Sequence, residues 1–411
     1  MKQKCYAVIG GGINGLAVAR QLMLDHPGAT VTVFEKESAV AQHQSGHNSG
    51  VVHAGLYYEP GGLKARLCRR GVALLKAYCR ENGLAYDECG KVVVALKEDE
   101  LPRLDAIYQK AVANAVPGVR LVGQEELREI EPNCIGIRAL HSPQTAIVSY
   151  AEIAARIAAE IEEKGGCVRL NSPVRRLIER QNRVYVELAD GEMHGQAFDY
   201  AIACCGLQSD RLAQRSGDEV TPKIVPFFGQ YYVIDEAFKA HVKGLIYPVP
   251  DPRFPFLGVH FTKRIDGQMT VGPNAFISFG RENYGGLSFS VRDMADFLAY
   301  PGFWKFASKN LGASVRELKT VVSESAFVRE AAKYVPSLGH VGVVPAVRGI
   351  RAQAMEGDGS LVDDFVIRRQ GNIAHVRNAP SPGATSSLAI AEYIVREVMP
   401  RPAPALEPAL V

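Results

Sequence analysis

The stretch Cys5-Tyr6-Ala7-Val8-Ile9-Gly10-Gly11-Gly12-Ile13-Asn14-Gly15 decides how this chain folds. Five residues of high strand propensity lead into the glycine spacing Gly10-x-Gly12-x-x-Gly15, after which apolar residues recur at helical spacing. A second apolar run at residues 31–34 ends at Glu35, about 20 residues beyond the last glycine. This order of strand, glycine turn, helix, strand and acidic residue is typical of a β-α-β unit that binds a dinucleotide.

Each position of this unit has an expected task. Gly10 permits the tight turn, Gly12 lets backbone amides approach a pyrophosphate, and Gly15 lets helix and strand pack closely. The start of the helix offers unpaired amides and the positive end of the helix dipole to the phosphates, while Glu35 accepts hydrogen bonds from a ribose. The predicted cofactor contacts of the unit are Gly10, Gly12, Ile13, Asn14, Gly15, Glu35 and Lys36.

Composition narrows the class of protein. The 411 residues carry a formal net charge of +3, and lysine and arginine are dispersed, so no nucleic-acid partner is predicted. No apolar run reaches the roughly 18 residues of a membrane span, and a strand that begins at Cys5 leaves no room for a signal peptide. None of the eight cysteines forms a C-x-x-C pair, which favours buried thiols in a cytoplasmic protein.

A glycine- and serine-rich segment, 44–58, follows the second strand and is too polar for a core. Its small residues would let the backbone approach a cofactor ring and its phosphates. His43 and His47 are four residues apart and could hold a metal on a helix, but Gly46 argues against a helix, so no metal is predicted. The predicted cofactor contacts of this segment are Ser45, Asn48, Ser49, Gly50 and Val51.

The remaining pattern predicts an α/β (α+β) fold in which an antiparallel-sheet domain is inserted into a Rossmann-like domain. Aromatic-rich strands between about 220 and 330 indicate the inserted sheet. We expect residues 1–90, 141–215 and 340–400 to form the dinucleotide domain, and residues 91–140 and 216–339 to form the substrate domain. The proline-rich tail, 401–411, is expected to be disordered.

FAD is favoured over NAD as the dinucleotide. The chain has one G-x-G-x-x-G, so it carries no second nucleotide domain for NADH. The inserted sheet can cover one face of an isoalloxazine, and the Gly-Ser loop at 379–387 feeds a helix whose amides can meet the ring. The remaining predicted FAD contacts are Val174, Cys205, Gly206, Arg351, Gly383, Thr385 and Ser386.

The chain resembles the D-amino-acid oxidase superfamily of FAD enzymes, and within it the L-2-hydroxyglutarate dehydrogenases (or oxidases) of bacterial type. The matching stretches span nearly the whole chain and include 10–15, 46–55, 247–252, 258–260, 271–275, 351–353 and 378–382. The resemblance implies FAD, oxidation of L-2-hydroxyglutarate to 2-oxoglutarate, and electron transfer to a quinone or another acceptor, including O2. It also implies peripheral membrane association, so a cytoplasmic protein could lie on the inner membrane.

A dicarboxylate substrate needs fixed positive charge. Arg351 follows a predicted strand, and its guanidinium can clamp a carboxylate in a bidentate geometry. Tyr231 and Tyr247 lie on aromatic strands, where core packing and substrate binding are both open. Further candidates for the second carboxylate are Lys64, Lys263 and Arg264.

Two histidines compete for the role of base. Oxidation at C2 requires a group that takes the hydroxyl proton while a hydride passes from C2 to flavin N5, and a histidine suits that task. His53 lies just beyond the flavin loop and could instead contact or covalently bind the flavin. His260 lies on an aromatic strand of the inserted sheet, and we favour it slightly as the base.

Two other functions remain open at this point. An amine or amino-acid oxidase, such as a sarcosine or glycine oxidase, would keep the fold and change the substrate. A non-catalytic or tRNA-associated FAD-binding scaffold would require a basic stripe, and the sequence has none.

Overall fold

The computed structural model describes residues 3–252, 258–273, 276–285, 289–310 and 324–399. The predicted tail 401–411, and residues 274–275 of one matching stretch, lie outside that part. The strands are β1 (Cys5–Ile9), β2 (Thr30–Phe34), β3 (Val51–Val52), β4 (Lys91–Ala95), β5 (Arg120–Gly123), β6 (Arg138–Ser142), β7 (Ala146–Ile147), β8 (Cys167–Arg169), β9 (Val174–Arg180), β10 (Arg183–Leu188), β11 (Tyr200–Ala203), β12 (Lys223–Ile234), β13 (Leu245–Pro248), β14 (His260–Lys263), β15 (Met269–Gly272), β16 (Phe276–Ile277), β17 (Val343–Met355), β18 (Val366–Gln370) and β19 (Ile373–Asn378).

Helices connect and cover these strands. The helices are α1 (Ile13–Asp25), α2 (Leu63–Glu81), α3 (Leu101–Ala113), α4 (Gln124–Ile130), α5 (Tyr150–Glu163), α6 (Ser209–Arg215), α7 (Val291–Leu298), α8 (Pro301–Lys309), α9 (Glu324–Ala332) and α10 (Ser387–Tyr393). Within the described ranges, no helix combines the length and the apolar character needed to cross a bilayer.

The first sheet has the order β18-β19-β11-β1-β2-β8. Its strands run parallel from β19 to β8, and β18 is antiparallel to β19. The β1 residues from Tyr6 to Ile9 are buried, because helices cover one face of the sheet and the β9–β10 hairpin with α6 covers the other. Gly15 of α1 lies so close to β1 that a Cβ atom there would meet the Gly10 carbonyl oxygen at 2.0 Å. The Rossmann-like unit is therefore confirmed.

The second, larger sheet has the order β16-β12-β15-β14-β13-β4-β6-β5, and β17 also pairs with β12. Its pairs are antiparallel except that β13 runs parallel to β4. The predicted antiparallel sheet is confirmed, and one parallel pair, between β13 and β4, extends it. β4 belongs to the early part of the chain, and it joins the sheet beside β13, which follows much later in the sequence.

β17 is the largest departure from the expected strands. The sequence predicted that Arg351 follows a strand, but Arg351 lies within β17, which continues to Met355 and pairs with β12 along most of its length. Polar residues such as Arg351 and Gln353 interrupt the apolar pattern because this part of β17 lines a cavity. β17 thus joins the larger sheet although it lies beyond residue 340. The division of the chain into domains stays a prediction.

The eight cysteines are all free. Cys68, Cys79 and Cys134 are buried, and burial raises the pKa of each thiol. Cys167 is the exception to the expected burial, because it lies exposed on the edge strand β8.

Candidate active site

A cavity of about 1160 Å³ is lined by residues of both sheets. One end lies at the turn between β1 and α1, and the other reaches the aromatic side chains of the larger sheet. The volume exceeds that of an ordinary small-ligand pocket, which is about 300–1,000 Å³. The cavity is therefore long enough to hold an extended dinucleotide and a small substrate together.

The dinucleotide end is organised around Glu35. The amide of Gly11 donates to Glu35 Oε2 at 2.6 Å, and the amide of Glu37 donates to Oε1 at 2.9 Å. Each carboxylate oxygen retains a further lone pair. Asn14 Oδ1 is buried without a hydrogen-bond partner in the described part of the chain. These unused acceptors, beside a helix N-terminus, fit a nucleotide.

Lys36 connects this end to the loop before α7. Its ammonium pairs with Glu37 and, at 2.9 Å, with Glu282. Glu37, His43 and Glu282 are close enough to share a metal ion, but Lys36 already supplies positive charge to both carboxylates. His47 does not join this group, because its ring packs against Tyr284 with centroids 4.2 Å apart.

The loop 44–52 is held by its own side chains. Asn48 donates to the carbonyl oxygens of Gln44 and Ser45 at 3.0 and 2.8 Å and accepts from the Gly50 amide at 2.8 Å. Ser45 Oγ accepts from the Ile13 amide at 2.9 Å, which ties the loop to the start of α1. The loop therefore presents a fixed wall to the cavity.

Most of the predicted cofactor residues line the cavity. Three of them do not: Gly15 packs against β1, Gly50 lies against the Val148 carbonyl, and Ser386 is fully buried at the start of α10. These three residues support the backbone around the cavity, and their contact with FAD stays a prediction. The predicted residues that line the cavity are Gly10, Gly12, Ile13, Asn14, Glu35, Lys36, Ser45, Asn48, Ser49, Val51, Val174, Cys205, Gly206, Arg351, Gly383 and Thr385.

His260 is fixed in one tautomer. Its Nδ1 lies 2.8 Å from the carbonyl oxygen of Gly258, and because a carbonyl only accepts, Nδ1 carries the proton. Its ring packs on Tyr247 with centroids 3.9 Å apart. Burial, together with the charges of Lys91 and Arg351, lowers the pKa of His260 to about 3. The imidazole is therefore neutral, and its Nε2 lone pair can accept a proton.

His53 is held by the loop before α10. Its amide donates to Thr385 Oγ1 at 3.1 Å, and its Nε2 lies 3.2 Å from Ser381 Oγ. Burial, followed by the charges of Lys91 and other cationic groups, lowers the pKa of His53 to about 3. Both candidate bases therefore line the same cavity in neutral form.

Arg351 acts electrostatically on all the other predicted catalytic residues. Its charge contributes to the lowered pKa of both histidines. Burial raises the pKa of Tyr231 and Tyr247, and Arg351 partly offsets the rise at each. The structure thus brings together the predicted group His53, His260, Arg351, Tyr231 and Tyr247.

The other cations proposed for a second carboxylate do not line this cavity. Lys64 pairs with Asp363 at 2.7 Å, and Lys263 pairs with Asp87 at 2.7 Å. Arg264 donates to the Asn48 carbonyl at 3.1 Å. These three were secondary candidates, each expected to be solvated rather than at the site, and each side chain is bound to another partner. The sequence analysis also did not single out Lys91, because this residue lies at the start of an apolar strand.

A glycine turn, a covered dinucleotide cleft and an aromatic sheet at its far end define the class of flavin-dependent oxidoreductases. The family model of FAD dependent oxidoreductases (DAO) matches residues 6–397. The chain therefore belongs to this family, and FAD is its cofactor.

Two named relatives are similar to this chain over most of its length. The chain is 44% identical to the L-2-hydroxyglutarate dehydrogenase, mitochondrial, of Homo sapiens, over 96% of this chain and 88% of that one. It is 41% identical to the L-2-hydroxyglutarate dehydrogenase of Escherichia coli, over 96% and 92%. Both matches cover nearly the full length of the relative.

Solved structures agree on the fold. An L-alpha-glycerophosphate oxidase from Mycoplasma pneumoniae with FAD bound is 20% identical, with a TM-score of 0.77 over 96% of this chain and 94% of that one. A glycine oxidase from Geobacillus kaustophilus is 17% identical, with a TM-score of 0.68 over 95% and 93%. At such identities the likeness concerns the fold alone.

Proposed function

We propose that this chain oxidises L-2-hydroxyglutarate to 2-oxoglutarate with FAD as its cofactor. The observation that carries the proposal is the group of Arg351, two neutral histidines and two tyrosines at the far end of a cavity that begins at the dinucleotide turn. The names of the relatives that share 41–44% of its residues support the same substrate.

Arg351 binds one carboxylate of the substrate in this proposal. A guanidinium forms two parallel hydrogen bonds to a carboxylate, which fixes both the position and the plane of the substrate. Tyr231 is 9% exposed and Tyr247 is 3% exposed, and both line the cavity. The raised pKa of each hydroxyl keeps it protonated, so each can donate a hydrogen bond.

His260 takes the proton of the C2 hydroxyl group. The Gly258 carbonyl holds the proton on Nδ1 and so leaves Nε2 as the acceptor. The flavin of FAD, when bound, supplies the acceptor for the hydride that leaves C2. His53 is held between Ser381 and Thr385, and we assign it to orienting the cofactor.

The electrons must leave the reduced enzyme for a second substrate. We propose a quinone or another acceptor, including O2, and peripheral contact with a membrane if the acceptor is a quinone. Catalytic reduction of a soluble quinone analogue, together with sedimentation with lipid vesicles, would support this part. Turnover with O2 alone, without vesicle binding, would exclude the quinone and the membrane contact and would leave O2 as the acceptor.

Steady-state turnover with a dye acceptor tests the proposed substrate. We expect activity with L-2-hydroxyglutarate and none with D-2-hydroxyglutarate. L-glutamate, glycine and sarcosine serve as controls, because an amine oxidase on this fold would use one of them. Activity with an amine and none with the hydroxy acid would replace the proposed function, and no activity with either would favour an FAD-binding scaffold.

A further inference from the structure

One buried lysine, Lys91, lies behind the aromatic wall of the candidate active site, and in the described part of the chain it has no carboxylate partner. Lys91 opens β4, and the registers place Lys91 opposite Leu245 of β13, and Leu245 opposite Thr262 of β14. Since residues two apart in a strand share a face, Lys91, Tyr247 and His260 lie on one face of three adjacent strands. The Tyr247 ring lies in the middle, 3.7 Å from Lys91 Nζ and 3.9 Å from the His260 ring.

Lys91 is buried more completely than its charge would normally permit. It is 3% exposed, and no ion pair to it occurs in the described part of the chain. The faces of Tyr247 and of Tyr57, 4.9 Å away, partly compensate its charge. Burial nevertheless lowers the pKa of Lys91 to about 7.

Among the described residues, the groups around Lys91 carry no negative charge. Tyr57 and His53 face it from the segment after β3, Tyr247 from β13 and His260 from β14. On β6 the cross-strand neighbour is Ser142, and α3 contributes Tyr108 to the same apolar cluster. Two carboxylates that line the cavity are already paired, Asp251 with Arg103 at 3.6 Å and Asp363 with Lys64 at 2.7 Å.

We propose that Lys91 is the buried counter-charge for a dianionic substrate, and that its amine takes one proton from solvent when the dianion enters the cavity. The inference rests on the proposed function, because it deepens the choice of a dicarboxylate. Lys91 acts across the Tyr247 ring and is a positioning residue. An anion beyond that ring stabilises the ammonium, so binding and protonation are coupled.

The coupling gives binding a defined dependence on pH. Above a pH of about 7, a growing share of the empty sites holds neutral Lys91, and each must first take up a proton. The Kd of a dianion should therefore rise by up to about tenfold per pH unit above neutrality. Ordinary carboxylates stay ionised in this range and add no slope of their own.

The test uses the oxidised holoenzyme and 2-oxoglutarate, which binds without turnover. Flavin difference spectra give the Kd between about pH 6 and pH 9, and calorimetry in buffers of different ionisation heat counts the protons taken up. The wild-type protein should show the rising Kd and proton uptake. Lys91→Met should bind about 10- to 100-fold more weakly at the acid end and show neither effect.

Two further variants serve as comparisons in this experiment, Lys91→Arg and Lys110→Met. Arginine stays charged throughout the range, so Lys91→Arg should lose the pH slope while remaining a tight binder at high pH. Lys110 is an exposed lysine of α3 paired with Glu59 at 2.8 Å, and its removal should leave the slope intact. If Lys91→Met fails to fold, the pH dependence of Kd in Lys91→Arg tests the proposal by itself.

An unchanged slope and proton uptake in Lys91→Arg would overturn the proposal, because the titrating group would then lie elsewhere. A wild-type Kd that is independent of pH would overturn it as well. Failure of the proposed function would look different. The wild-type flavin would then not be reduced by L-2-hydroxyglutarate, whatever residue occupies position 91.

Discussion

His260→Gln is the substitution that separates proton transfer from binding most directly. Glutamine has a similar length and can still donate to the Gly258 carbonyl, as Nδ1 does at 2.8 Å, but its amide is not basic. It also loses the ring contact with Tyr247, 3.9 Å between centroids, which is worth about 0.5–1.5 kcal/mol of stability. Loss of a general base slows reaction about 100- to 10,000-fold, or about 3–5 kcal/mol on the barrier. The kinetic effect therefore exceeds the structural one.

Stopped-flow reduction of the bound flavin under anaerobic conditions measures this effect. We expect the oxidised flavin spectrum of His260→Gln to match that of the wild type, with the reduction rate constant lowered by the factor above. His53→Gln is the matched control, and it should alter the flavin spectrum or potential instead. Normal reduction by His260→Gln, or exchange of the two phenotypes, would refute the assignment. A change confined to KM would make His260 a binding residue only.

Three other substitutions or conditions test separate parts of the site. Arg351→Lys keeps the charge and loses the fork, so kcat/KM should fall about 10- to 150-fold, and unchanged kinetics would remove Arg351 from substrate binding. Gly12→Val should abolish FAD binding, because a Cβ there already lies 3.2 Å from Ser45 Oγ and the branches enter the cavity; a purified variant with a full flavin spectrum would contradict this. His375 is 2% exposed and burial lowers its pKa to about 4, so the unfolded chain binds a proton there between pH 4 and its ordinary pKa of about 6.5, and the folded one does not. The contribution of His375 to stability against denaturant should fall by up to about 1.4 kcal/mol per pH unit on acidification through that window, in addition to the contributions of His53 and His260, and His375→Gln should show a shallower fall.

The dinucleotide end could be predicted because its signal is local. β1, the glycine turn, α1 and β2 are consecutive, and each lies within one or two residues of its predicted position. Glu35 also reaches the turn, where it accepts a hydrogen bond from the Gly11 amide. The packing of Gly15 against Gly10 follows from the same short stretch.

The substrate end depends on strand neighbours that are distant in the chain. Lys91 of β4 meets Tyr247 of β13 only because these two strands pair, and neither local pattern indicates that pairing. Lys64 and Lys263 were attractive candidates by residue type, but Asp363 and Asp87 bind them. Whether one of these lysines has a carboxylate partner therefore depends on how the distant strands pair in the folded sheet.

The histidines show an intermediate case. Residue type and aromatic neighbours indicated that His260 and His53 lie at the site, and both line the cavity. The tautomer of His260 depends on the Gly258 carbonyl two residues earlier, a contact that requires the actual backbone path. The assignment of His260 as the base stays a prediction.

Anaerobic mixing of the purified yellow protein with one equivalent of L-2-hydroxyglutarate tests the central claim most directly. We predict that the oxidised flavin absorbance is lost and that 2-oxoglutarate forms in an amount equal to the flavin reduced, while D-2-hydroxyglutarate leaves the spectrum unchanged. Persistence of the oxidised flavin spectrum with the L-enantiomer would contradict the account.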